Sequence, residues 1–146
     1  MSAPTDCISL ESNSFALHGQ RSNNLDWYEF EARIDGARFG ESGGETKQRF
    51  IENLVTVLSN DQGVPLSKME APRFAEYVGG VESEYLGYVA FSGYKTLYFF
   101  RSGGTLKYVV LADNEGKHLA HAQLTPELRN SWLEVLNHLH TGSCHV

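Results

Sequence analysis

No apolar run in the sequence approaches the roughly 20 residues that a bilayer-spanning helix needs, so no helical membrane span is expected. Basic residues are in short supply: 12 Lys and Arg stand against 18 Asp and Glu, a formal net charge of −6. A nucleic-acid surface needs a basic patch to release counterions, so this balance argues against one. It admits a basic protein partner, because opposite fields speed encounter. Cysteine is scarce as well. Cys7 and Cys144 stand one near each end; chain termini often lie close together, so a bridge is geometrically allowed. Met1–Asp6 has neither a basic n-region nor an apolar h-region and does not read as a secretory signal. A cytoplasmic protein with two free thiols is the expectation.

Catalytic signatures are missing too. There is no G-x-S-x-G, and the two cysteines fall in expected tails, where no reacting geometry can be held. The glycine pairs Gly43-Gly44, Gly79-Gly80 and Gly103-Gly104 form neither a P-loop nor a dinucleotide fingerprint. The first opens a helix and could hold an anion there, but no Lys-Ser/Thr follows it. Internal repeats and low-complexity tracts are absent. No enzyme and no cofactor are expected. At 146 residues the chain fits one domain, 1–146, that needs no metal or disulfide to fold. Residues 1–7 and 142–146 read as flexible tails.

What is present is a meander from Glu82 to Leu124. Tyr85–Phe91, Lys95–Arg101, Thr105–Ala112 and His118–Leu124 read as strands, separated by turn signals at Ser92-Gly93, Gly103-Gly104 and Asp113-Asn114-Glu115-Gly116. Earlier in the chain, Ile8–Leu17 reads as a strand whose apolar pairs Ile8, Leu10 and Phe15, Leu17 have opposite parity. A bulge near Glu11–Ser14 would reconcile them. Leu25–Asp35 alternates cleanly: Tyr28, Phe30, Ala32 and Ile34 share the core face, and Trp27, Glu29, Glu31 and Arg33 share the other. Asp35-Gly36 turns, and Ala37–Gly40 reads as a short strand.

Two helices follow from spacing and caps. Ser42-Gly43-Gly44-Glu45 has capping-box spacing, with Thr46 as a competing cap. Phe50, Ile51, Leu54, Val55 and Leu58 make one apolar stripe. Thr125-Pro126-Glu127 starts the second helix, with Thr as cap, Pro at the first helical position and Glu at the positive dipole end. Its buried stripe is Leu128, Trp132, Val135, Leu136 and Leu139. Val64–Gly80, broken by Pro65 and Pro72, is the least regular segment, with room for one helical turn at Pro72–Tyr77. The fold class expected is α+β: an antiparallel sheet, in the order β-β-α-β-β-β-β-α, with both amphipathic helices packed on one face.

Histidines and carboxylates are the remaining chemistry. His138, His140, Cys144 and His145 crowd the C-terminus, but residues two apart on a helix point nearly opposite ways. His118 and His121 have opposite parity in a strand and would point apart. Zinc wants several converging ligands, so no metal site is expected. Glu29 and Glu31 lie about 7 Å apart along one strand face. Paired glycosidase carboxylates have comparable separations, but such enzymes also need a cleft and stacking aromatics, and only Trp27 shares this face. A docking surface or a solvated strand face fits better. The meander's many aromatics fit core packing plus an edge or homodimer contact, with a small-molecule cavity as the alternative.

The strand Leu25-Asp26-Trp27-Tyr28-Glu29-Phe30-Glu31-Ala32-Arg33-Ile34, then an amphipathic helix, a sheet meander and a Thr-Pro-Glu-Leu helix, resembles the layout of small bacterial immunity proteins that accompany polymorphic or contact-delivered toxins. The resemblance implies a small, acidic, cytosolic, non-enzymatic protein that binds a toxin domain and blocks its active site. It carries over no particular residue. On this reading the expected partner-binding residues are Trp27, Glu29, Glu31, Asp35 and Glu41, with the Val64–Gly80 loop as a second contact surface. The alternative is a small-ligand domain with its pocket between the meander and the helix that carries Trp132.

Overall fold

The computed structural model describes residues 7–10, 15–21, 28–34, 36–42, 47–66, 74–80, 82–90, 95–103 and 106–139, with the backbone alone at 7–9, 19–21, 28–30, 40–42, 47–48 and 135–139. Alternation builds the first sheet. β1 (Cys7–Leu10), β2 (Phe15–Arg21), β3 (Tyr28–Ile34) and β4 (Ala37–Ser42) lie side by side in chain order, antiparallel throughout. Register sets Phe15 opposite Ile34 and Leu17 opposite Ala32. All four side chains are buried, so the period-two pattern delivers one apolar face to the core.

The single strand expected over Ile8–Leu17 is two strands. Leu10 pairs with Leu17, so the parity conflict is resolved by a change of strand; the bulge expected at Glu11–Ser14 lies outside the described residues.

The second sheet is a meander, β5 (Val64–Pro65), β6 (Glu84–Ala90), β7 (Lys95–Ser102), β8 (Leu106–Asp113) and β9 (His118–Leu124), again in chain order and antiparallel. Pro65 has no N–H to give, and it stands in the edge strand, where none is needed. At the last turn the Asp113 carboxylate accepts the Glu115 and Lys117 amides at 3.0 and 2.8 Å, and Gly116 adopts φ +81°. The α+β class and the antiparallel pairing are those expected. The strands are shared between two sheets of four and five.

Between them sit α1 (Lys47–Leu58) and α2 (Pro126–Leu139). The Thr125 hydroxyl accepts the Leu128 amide at 3.3 Å, the cap its sequence promises. Phe50, Ile51, Leu54, Val57 and Leu58 of α1 and Trp132 of α2 meet Leu10, Phe15 and Ile34 of the first sheet and Leu97, Phe99, Val109 and Leu111 of the second in one core. Both helices therefore serve the same face of the second sheet.

That sheet is buried on its rear face as well. Leu66, Val78, Phe100 and Val110 form a smaller cluster, joined by Phe74, Tyr77, Tyr85, Tyr98 and Tyr108. The cover comes from the irregular segment after β5, which carries a 3-10 turn at Ala75–Tyr77 within the stretch expected to be helical. The Ser83 hydroxyl, fully buried, donates to the Val78 carbonyl and ties down the end of the cover. Each large apolar side chain buried this way contributes about 1.5–3 kcal/mol.

Candidate functional site

The acidic face expected on β3 is only partly brought together. Trp27 and Asp35 lie outside the described residues. Glu29 stands opposite Ser42 in the backbone register, whereas Glu41 stands opposite Phe30, so these two acids occupy positions of opposite alternation. Glu31 lies on the polar side, its side chain 40 % exposed, and Arg38 of β4 pairs with it at 3.4 Å. Arg33 is directly opposite Arg38. Two like charges facing across a ladder destabilise it, and the diagonal Glu31 offsets that. An exposed pair of this kind contributes about 0–1 kcal/mol. Losing Glu31 would therefore cost the fold little.

The rear face of the second sheet holds an arrangement that parity arguments miss. In β9, Ala112 is opposite His118 and Leu111 is opposite Ala120, so Leu119 is an extra residue. The bulge shifts parity by one and turns His118 to the side of His121. Contrary to the expectation that they point apart, their rings are in contact: His118 Nε2 lies 3.0 Å from His121 Nδ1. Tyr77, from the 3-10 turn, stacks on His118 with centroids 3.8 Å apart and planes 9° from parallel. Burial, then the His121 ring, holds the His118 pKa below its ordinary value, against an opposing pull from Glu76.

A second bulge does the same on the other side of the sheet. Tyr85 is opposite Phe100 and Gly87 is opposite Phe99, so Leu86 is the extra residue and both Tyr85 and Tyr88 face the rear. Each has its ring 6.4 Å from Tyr98. Gly87 takes φ +139°, and a Cβ there would sit 3.2 Å from Val57 of α1. Burial, then Tyr98 and Tyr88, pushes the Tyr85 phenol up to about 12. Tyr88, 61 % exposed, carries this aromatic surface out to solvent.

On the front face, basic groups are directed inward. Lys107 is 3 % exposed, and its Nζ donates to the Leu58 and Asn60 carbonyls at 2.9 and 3.3 Å. Arg129 of α2 donates to the same Leu58 carbonyl at 3.3 Å. Two cations thus serve the carbonyl end of α1, where the helix dipole favours positive charge. Burial, then Arg129, lowers the Lys107 pKa, with Asp61 opposing. Arg101 is paired with Glu84, directly across the ladder.

Where a ligand pocket was an alternative, between the meander and α2, Trp132 is 1 % exposed and packs 4.9 Å from Phe15. Its Nε1 and the Arg129 Nε are buried without an acceptor among the described residues. Among those residues no three His, Cys, Asp or Glu side chains converge as metal ligands would. His140, Cys144 and His145 lie outside them, and His138 is described by its backbone alone. No helix among the described residues is long and apolar enough to cross a membrane. Compared with known protein families, curated proteins and solved structures, the chain matches none.

Proposed function

We propose that the protein is a non-catalytic binding module that captures a basic protein partner, as an immunity-type inhibitor of a toxin would. One observation carries the reading: the exposed charges of the described residues are mostly acidic. Among the described residues, seven acids are exposed (Glu52, Asp61, Glu76, Glu82, Glu115, Glu127 and Glu134) against three bases, Arg38, Arg49 and Lys117. Lys107 and Arg129 contribute to the difference, because both are spent on the end of α1. The proposed contact face is the polar side of β3, with Glu31 and, on the same alternation, Glu29; Glu41, which stands opposite Phe30, does not share it.

The test is affinity capture from the source cell at low salt, followed by identification of the retained protein. A basic partner held in stoichiometric amount, and weakened at least about tenfold by the paired Glu29→Gln and Glu31→Gln changes, is the expected result. Retention of only acidic or neutral partners, or binding indifferent to both changes, would remove the proposal.

A further inference from the structure

We propose that the stack of Tyr77, His118 and His121 is a proton-operated latch, holding residues 74–80 over the rear face of the second sheet and releasing them in mild acid. The geometry sets the rule. A contact of 3.0 Å between His118 Nε2 and His121 Nδ1 needs one nitrogen to donate and the other to accept. It tolerates one charge on the pair. A second proton puts two N–H groups head to head and breaks it.

What the latch holds follows from the contacts behind it. Tyr77 stacks on His118. Phe74, three residues earlier, lies 5.4 Å from Tyr98 and 5.9 Å from Phe100, and Val78, the next residue, is fully buried in the same cluster. Lifting Tyr77 lifts these from the apolar rear face. Of the groups facing the pair among the described residues, Glu76 in the 3-10 turn is the charged one. It favours protonation of His118 and also raises the pKa of the Tyr77 phenol. From β8 the pair faces Val110 and Ala112, which carry no charge.

The sign follows from His118, whose closed-state pKa lies below its ordinary 6.5. The open state therefore binds more protons than the closed state once the pH drops below 6.5. Closure weakens from there down to the closed-state value and is unaffected by pH above 6.5. One linked proton raises the opening constant by up to about tenfold per pH unit. The latch requires no knowledge of the partner, and its failure would leave the proposed binding function standing.

Amide hydrogen exchange reads it directly. The amides of Val78 and Gly80 both donate to the Ala75 carbonyl. After correction for intrinsic exchange, their opening constants should be higher at about pH 5.5 than at about pH 7.5, by up to about tenfold. The Val109 and Leu111 amides of β8 should not change. His118→Phe keeps a ring for Tyr77 to stack on but accepts no proton, so it should abolish the pH dependence. Should that variant not fold, imidazole NMR of the unaltered protein decides: His118 should titrate below 6.5, with Tyr77 and Phe74 resonances moving in step. Equal protection at both pH values, an unchanged pH dependence in His118→Phe, or titration of His118 at or above 6.5 would each overturn the latch.

Discussion

Lys107 shows how one side chain can carry a structural duty that its chemistry disguises. A lysine near the start of a strand would ordinarily be assigned to solvent; here its stem is buried and its ammonium finishes the end of α1. Replacing it with methionine preserves the volume and removes the donor, leaving the Asn60 carbonyl without that partner and the Leu58 carbonyl with Arg129 alone. A loss of about 1–3 kcal/mol is expected in urea unfolding; no loss would mean that the contact is incidental. Tyr85 supplies a second test at this scale. Its phenol is pushed up to about 12, so the folded state favours the protonated form. That contribution is complete below the ordinary value of 10.0 and is lost as the pH rises from there to about 12. Ultraviolet titration should show a phenol ionising near the upper figure and absent in Tyr85→Phe. Complete ionisation of all seven tyrosines near 10.0 would contradict the assignment.

At the scale of elements, legibility tracked periodicity. The stripe of α1, the Thr125 cap of α2 and the span His118–Leu124 of β9 can all be read from spacing, because each is a local pattern with a local cause. The bulges cannot. Nothing in the run from His118 to His121 announces that Leu119 will be skipped, and strict alternation sends the two imidazoles to opposite faces. The same holds for Tyr85 and Tyr88, although Gly87 is a cue, since glycine inside a strand often marks a bulge. That Val64–Gly80 could cover one end of the sheet was open to the sequence, but not which residues do so, because Leu66, Phe74 and Val78 follow no period and are joined only by the sheet they cover. On the candidate surface, the pattern placed Glu31 on the polar side of β3, but it did not show Arg38 reaching it across the ladder.

Two substitutions test these elements. Gly87→Ala meets both a backbone conformation that L-residues rarely adopt and the Val57 methyl at 3.2 Å. It should cost about 1–3 kcal/mol, and a neutral result would show that the bulge relaxes easily. Trp132→Ala should cost about 3–5 kcal/mol as a buried large-to-small change. Trp132→Phe should cost clearly less, because it also removes a buried N–H that has no acceptor among the described residues. Equal losses in the two variants would mean that the N–H is satisfied after all.

Across the whole molecule, the distribution of charge links fold to function. With a formal charge of −6 and the basic groups Lys107 and Arg129 committed to the end of α1, the net attraction on a basic surface acts before any contact forms. Such attraction acts chiefly on the association rate and is screened within about 8–10 Å at physiological salt. The measurement that meets this claim most directly is the association rate with the captured partner as ionic strength is raised from about 10 mM to about 150 mM. The account predicts a fall of at least about tenfold, made shallower by Glu29→Gln with Glu31→Gln. A rate that stays flat with salt, or rises with it, would contradict an acidic exterior as the basis of recognition.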